Sequence, residues 1–264
     1  MDAVLPAAVS EALTSFLLQQ RRVAPGLVAR AIVTGSAVRG DWRDGTSDID
    51  VVFVVTRDPQ DDLEALADLH ARTEPRIDGV YLTESQLAKG PETVQTAPQT
   101  MEGVLVSALE GGQLTWMTWR ELETGVQGIV DGGDVIWSPT SDRHPGTPQG
   151  LVAHSRQNLR EYWSPIGDAV EEELASRAAE SPVRPQTVQW IALGPARLLA
   201  AIETGEVISK TQAAAFAAGR WPEHADLLDR VVRHRAGEHQ TFTVAEGRQA
   251  VELLRSCVEA GTSS

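Results

Sequence analysis

Thr34-Gly35-Ser36-Ala37-Val38-Arg39-Gly40-Asp41-Trp42-Arg43-Asp44-Gly45-Thr46-Ser47-Asp48-Ile49-Asp50 lies between two apolar runs, Val28 to Val33 and Val51 to Val55. Its pattern is that of a strand, a glycine turn with a hydroxyl, a short helix and polar loop, then a second strand opened by two carboxylates. The run Ile49 to Val55 is nearly continuous in apolar residues, as a central strand covered on both faces requires. Aspartates one residue apart on a strand share a face, about 6–7 Å from each other. Two such hard oxygen donors select Mg²⁺ or Mn²⁺ over softer metals. Two cations about 3.5–4 Å apart can clamp the entering and leaving oxygens of a phosphoryl displacement. At the turn, Gly35 lets backbone N–H groups come close to phosphate oxygens, and the Ser36 hydroxyl adds a donor. A triphosphate held there would present its α-phosphate to metal on Asp48 and Asp50. Asp78, near the start of another strand candidate, is a third acid that could complete the metal site or take a proton from an attacking hydroxyl. Taken alone, Asp78 reads rather as an exposed edge residue, and the plain alternative for Asp48 is a helix or strand cap.

Upstream, residues 6–21 carry Val9, Leu13, Phe16 and Leu17 at helical spacing, and Pro25-Gly26 ends the helix. Downstream, Leu63, Leu66, Leu69 and His70 mark an amphipathic helix, and Ile77 to Leu82 a short strand. Residues 84–100 read as irregular. Met101 to Leu109 fits helix or strand equally, Gln113 to Trp119 reads as extended, and Gly125 to Val135 as loop and short strand. The stretch Ser138 to Gly150, with prolines at 145 and 148, is the best linker in the chain. Beyond it no convincing strand follows. Leu159, Trp163, Val170 and Leu174 keep helical spacing, with Pro165 expected to kink the helix. Val188, Ile191, Ala192, Leu199 and Ile202 line another helix, which Pro195 should bend. Ser209-Lys210-Thr211-Gln212 and Thr243-Val244-Ala245-Glu246 have the form of capping boxes. The chain therefore divides into an α/β (α+β) domain over residues 1–145 and a helical bundle over 151–264.

The 264 residues suffice for one large domain or two modest ones, and 42% hydrophobic and 23% charged content are ordinary for a globular chain. A single cysteine, Cys257, excludes an internal disulfide, so a reducing cytoplasm is expected. No apolar run reaches the roughly 20 residues that span a bilayer, and Met1-Asp2-Ala3-Val4 lacks the basic start of a signal peptide. Neither a membrane nor a nucleic acid is an expected partner. A net charge of −14 opposes a phosphate backbone and suits a cationic small molecule, although it also serves solubility alone.

The segment Gly35-Ser36 to Asp48-Ile49-Asp50 resembles the signature of the polymerase-β-type nucleotidyltransferase superfamily. Within it, the chain resembles the aminoglycoside adenylyltransferases that modify streptomycin and spectinomycin. Three further stretches carry that likeness: Leu193-Gly194-Pro195-Ala196-Arg197, Ala201 to Lys210, and Ala213-Ala214-Ala215-Phe216-Ala217. Trp163 and Leu114-Thr115-Trp116 fit more loosely. The likeness covers roughly residues 25–235. It implies a nucleotidyltransferase domain with a mixed sheet followed by a helical domain, ATP as substrate and Mg²⁺ as cofactor. Gly35 and Ser36 would hold phosphates, Asp48 and Asp50 metal, and Lys210 and Arg197 the triphosphate. A triphosphate carries more charge than its cations neutralise locally, which gives a second-domain cation a physical purpose. Asp78 stands where the family has a glutamate base, one methylene longer. The family's acceptor side uses an acid and a tryptophan. Pro182-Val183-Arg184-Pro185-Gln186 supplies no acid there; Trp116 and Trp119 are both candidate aromatic walls, Trp116 the first choice for the acceptor, although among seven tryptophans buried core is the commoner reading for either.

The expected activity is AMP transfer from Mg-ATP to a hydroxyl of a small cationic acceptor, an aminoglycoside first, and with it antibiotic resistance. Two rivals share the signature: a nucleotidyltransferase acting on another metabolite or a protein, and a degenerate nucleotide-binding homologue. Neither the modified hydroxyl nor the oligomeric state is encoded legibly.

Overall fold

The computed structural model describes residues 5–140 and 147–263. The chain divides into two compact units, Met1–Thr147 and Pro148–Ser264. The first unit is built on a seven-stranded mixed sheet. Its strands are β1 (Val28–Val33), β2 (Ile49–Val55), β3 (Ile77–Thr83), β4 (Thr96–Met101), β5 (Val104–Glu110), β6 (Val126–Asp131) and β7 (Asp134–Pro139), in the order β5-β4-β3-β2-β1-β6-β7. Only β2 and β3 run parallel; every other neighbouring pair is antiparallel.

Strand alternation sorts the centre of this sheet into two cores. Ile49, Val51, Phe53, Val55, Ile77 and Tyr81 face one way. They are covered by α1 (Ala7–Val23) through Leu13, Phe16 and Leu17, and by α3 (Leu63–Ala71) through Leu66 and Leu69. Between these helices in sequence lies α2 (Gly35–Val38), a single turn after β1. Val52, Val54, Val80 and Leu82 face the other way. There they meet Leu87 of α4 (Glu84–Lys89) and Trp119 and Leu122 of α5 (Trp116–Leu122). Trp119 is fully buried, and its indole N–H donates to the Leu87 carbonyl at 3.0 Å, so it belongs to the core and is no aromatic wall for a ligand.

Three stretches differ from the sequence reading. Residues 84–100 are not irregular: Thr83 and Gln86 form a capping box that opens α4, and β4 follows. Gln113 to Trp119 is not extended: Thr115 caps α5 by accepting the Thr118 N–H. The ambiguous segment after Met101 is the strand β5, at the edge of the sheet. Of the expected linker, residues 138–150, the stretch 141–146 lies outside the described residues; Ser138 and Pro139 belong to β7, and residues 148–150 to the helix that opens at Pro148.

The second unit is helical: α6 (Pro148–Asn158), a π-helical turn (Leu159–Trp163), α7 (Ser164–Ala175), α8 (Pro185–Thr204), α9 (Lys210–Arg220), α10 (Ala225–Arg235) and α11 (Val244–Thr262). A two-residue strand pair, β8 (Pro182–Val183) with β9 (Phe242–Thr243), ties the α7–α8 connection to the start of α11. Helix α8 is central, packing against α6, α9, α10 and α11, and buries ten of its residues. Pro195 is accommodated inside it. Pro165 lies just after the π-helical turn, within a helical run that is continuous from Pro148 to Ala175. Both capping boxes read from sequence are present, opening α9 at Ser209 and α11 at Thr243.

Candidate functional site

At one end of the first unit's sheet, β1 terminates and β2 and β3 begin. Asp50 and Asp78 are register partners across the parallel pair, so their side chains share a face. It is the face of Val52 and Val80, beyond the last apolar residues of the second core. The aspartates thus continue a hydrophobic alternation to the point where it meets solvent.

The turn after β1 is fitted to Asp50. Thr34 N–H donates to the Asp50 carbonyl at 3.0 Å, which joins the turn to the strand. Gly35 follows with φ +65°, and a Cβ there would overlap Asp50 Oδ2. Only glycine satisfies both conditions. Ser36 is half-buried, and its carbonyl accepts the Asp41 N–H at 3.0 Å.

Asp78 is buried, and a tight turn clasps it. Met101 and Val104 pair at the end of the β4–β5 hairpin, leaving Glu102 (φ 52°) and Gly103 (φ 79°) as its two central residues. Two successive positive φ values are the signature of a type I′ turn. The Glu102 N–H donates to Asp78 Oδ2 at 3.1 Å and the Gly103 N–H to Oδ1 at 3.4 Å. The Asp78 pKa is nonetheless raised above the usual carboxylate range. Burial is the main cause; the two N–H groups oppose it, and the charge of Asp48 adds to it. Asp48 is half-buried just before β2, two residues ahead of Asp50. Gly79 beside Asp78 has no room for a side chain, since a Cβ would stand 2.9 Å from the Phe53 ring.

Helix α5 and the residues before it brace the same end of the sheet. Gln113 Nε2 donates to Asp50 Oδ1 at 3.0 Å, and Glu121 pairs with Arg39, which follows α2, at 3.2 Å. The sequence pattern marks none of Gln113, Arg39 and Glu121 as a site residue; the pair Gly111-Gly112 before Gln113 is the local sign of a tight turn there. Trp116 sits half-buried at the first position of α5.

The predicted cations belong to the second unit. Arg197, half-buried on α8, donates from Nε to the Ile208 carbonyl at 3.0 Å, and so backs the turn that opens α9. Lys210 is exposed at the first position of that helix, directly after its cap Ser209. The structure thus gathers Gly35, Asp48, Asp50 and Asp78 at one sheet end, and Arg197 and Lys210 at one helix start.

Among the described residues no group of three His, Cys, Asp or Glu is placed to hold a metal ion, so Asp48, Asp50 and Asp78 do not form a three-acid site. A pair of half-buried carboxylates is the donor set of a Mg²⁺ that keeps waters and takes its remaining ligands from substrate phosphates. Asp48 and Asp50 fit that description.

Comparison with known proteins finds a family match in each of the two units. Residues 16–92 match the family described as nucleotidyltransferase domain, and residues 160–260 the family described as aminoglycoside adenylyltransferase, C-terminal domain. No curated protein matches the sequence. Among solved structures, the chain is similar in fold to the spectinomycin adenyltransferase AAD(9) from Enterococcus faecialis, crystallised with ATP and spectinomycin. The two share 14% identity over 94% of this chain and 98% of that one, with a TM-score of 0.63.

Proposed function

We propose that this chain, a nucleotidyltransferase of the aminoglycoside adenylyltransferase family, moves AMP from ATP to a hydroxyl of a small cationic acceptor and releases pyrophosphate. An aminoglycoside of the streptomycin or spectinomycin type is the first choice of acceptor. The observation that carries the reading is the placement of Asp50. It lies against Gly35 of the phosphate turn on one side and beside Asp78 in the next strand on the other.

In this reading Gly35 and Ser36 receive the triphosphate, and Asp48 and Asp50 hold Mg²⁺. Mg²⁺, when bound, supplies charge neutralisation at the phosphate oxygens. Asp78 accepts the proton of the attacking hydroxyl. Its raised pKa makes it a stronger base than an ordinary carboxylate. Its two backbone contacts leave acceptor capacity, because a carboxylate offers about four lone-pair directions. The acceptor oxygen bonds to the α-phosphorus as the bond to the bridging oxygen breaks, and pyrophosphate departs with that electron pair. Lys210 and Arg197, which the family resemblance assigns to the triphosphate, stand at the start of α9 in the second unit. The net charge of −14 favours capture of a polycation, and Trp116 is the proposed aromatic contact.

The test is pyrophosphate release with ATP, Mg²⁺ and a panel of aminoglycosides, in the native protein and in Asp48→Asn. Turnover confined to particular aminoglycosides, and reduced at least about 100-fold by the substitution, is expected. Release indifferent to every aminoglycoside would move the acceptor to another chemical class. Full turnover in Asp48→Asn would remove the metal assignment.

A further inference from the structure

The Asp50 carboxylate is held from a direction that the phosphate turn and the metal do not explain. Gln113 Nε2 donates to its Oδ1 at 3.0 Å. A carboxylate only accepts, so the amide must turn its NH₂ toward Asp50 and its oxygen away. That oxygen meets the Thr118 hydroxyl at 3.4 Å, which agrees with this orientation.

Gln113 is itself fixed from beneath. Its backbone N–H donates to Gln99 Oε1 at 2.7 Å. Gln99 is fully buried on β4, opposite Val80, and its Nε2 donates to the carbonyls of Leu109 at 2.8 Å and Gly111 at 3.1 Å. One buried amide therefore shapes the turn between β5 and α5 with three hydrogen bonds. The turn closes so tightly over it that a Cβ at Gly112 would stand 2.6 Å from Gln99 Oε1. Burying an amide is expensive unless its groups are satisfied, and here the partners are backbone groups of the loop that delivers Gln113.

We propose that Gln113 is a positioning residue. Seated on the buried Gln99, it sets the orientation of the Asp50 carboxylate and so tunes the affinity of that carboxylate for a divalent cation. The proposal rests on the assignment of Asp50 as a metal ligand. Hydrogen bonds to ligating carboxylates typically influence metal affinity 10–100-fold. An amide donating to Oδ1 keeps the other oxygen, Oδ2, on the side of Gly35 and the phosphate turn.

The test uses Mn²⁺ alone as the probe, its binding followed by electron paramagnetic resonance in the full chain without nucleotide. Native protein, Gln113→Ala and Asp50→Asn are compared, with thermal unfolding run in parallel. Gln113→Ala should weaken Mn²⁺ binding about 10-fold while the protein stays folded. In turnover assays it should raise the Mg²⁺ concentration for half-maximal rate more than it lowers kcat at saturating Mg²⁺. Gln113→Asn, with an amide one methylene short, should also lose affinity, and it serves as the probe if the alanine variant does not fold. Native or tighter Mn²⁺ binding in the Gln113 variants, alongside loss in Asp50→Asn, overturns the positioning role and leaves the metal assignment intact. Undiminished binding in Asp50→Asn overturns the metal assignment and the positioning role together.

Discussion

Asp50 Oδ2 occupies the space in which a side chain at Gly35 would begin, so the turn after β1 and the first strand-borne acid can be neighbours only while residue 35 has no Cβ. Gly35→Ala meets two penalties. The backbone at φ +65° disfavours an L side chain by about 1–2 kcal/mol. The methyl group also collides with the end of a side chain that can rotate away. The expected outcome is a folded protein with modestly lowered stability and an Asp50 displaced from its place, with turnover down about 10- to 100-fold. Chemical denaturation and pyrophosphate release, measured on the same preparation, check it. A variant that loses stability but keeps its rate would show that Asp50 is not needed where it stands.

Asp78→Asn separates chemistry from folding. The raised pKa means that the native fold holds the charged carboxylate at some cost, mainly from burial. An amide removes that cost and can still accept an N–H from the Glu102–Gly103 turn. Stability should stay within about 1 kcal/mol of native at neutral pH. Activity should fall by about two orders of magnitude or more if Asp78 is the base. In the native enzyme, the acidic limb of kcat/KM against pH should lie above the ordinary carboxylate range. A limb at ordinary carboxylate values, or near-native turnover by Asp78→Asn, removes Asp78 from the proton-transfer step.

The hairpin turn at Glu102 offers a stabilising substitution. Glu102 is the only non-glycine among the described residues with positive φ, and a type I′ turn prefers Asn followed by Gly. Glu102→Asn keeps the N–H that Asp78 accepts and should raise stability by about 0.5–1 kcal/mol. Urea denaturation gives the number. A destabilised Glu102→Asn would mean that the glutamate side chain contributes something the turn geometry does not reveal.

His70 makes the fold acid-sensitive. It is buried among Phe16, Phe53 and Tyr81, with Nε2 2.8 Å from the Tyr81 hydroxyl, and burial lowers its pKa from 6.5 to about 4. The unfolded chain takes up a proton near pH 6.5 and the folded one only near 4. The stability His70 lends is therefore fully present above pH 6.5 and lost as pH falls to about 4, roughly 3 kcal/mol in all. His70→Gln should flatten that part of the stability–pH curve while lowering the plateau at neutral pH. An unchanged slope between pH 6.5 and 4 in His70→Gln would assign the acid sensitivity to other groups.

What could be read from the chain follows how local each signal is. Ile49 to Val55 declared itself by a nearly continuous apolar run, and the boxes at Ser209 and Thr243 by residues three apart, because each signal fits within one turn or one strand. The box at Thr83 has the same form but opens a helix of six residues with one buried position, Leu87, too short to show a period. β4 was hidden by Pro98, a strand breaker in sequence. The structure places Pro98 at a register shift between Ala97 and Gln99, where the ladder to β5 is already interrupted. Helix α5 reads as extended from its threonines and tryptophans, and its start rests on a single Thr115 cap. Within the site, the two aspartates of Asp48-Ile49-Asp50 were visible together because they are two residues apart. The bond from Gln113 to Asp50 spans 63 positions and depends on Gln99, so no spacing in the chain announces it.

Strand alternation also governs how a chain of this kind can change in length. Asp50 meets the phosphate turn because it has the parity of Val52 and Val54; the residues of opposite parity, Val51 and Phe53, belong to the core under α1 and α3. A residue gained or lost between Gly40 and Thr46, where the chain is largely exposed, leaves that parity untouched. One gained or lost between Asp50 and Val52 would turn the carboxylate toward Phe16 and present a core residue to the nucleotide. Insertions and deletions should therefore collect in the loop and stop short at the strand, so that descendants of such a sequence can vary the rim of the site while its acids keep their side of the sheet.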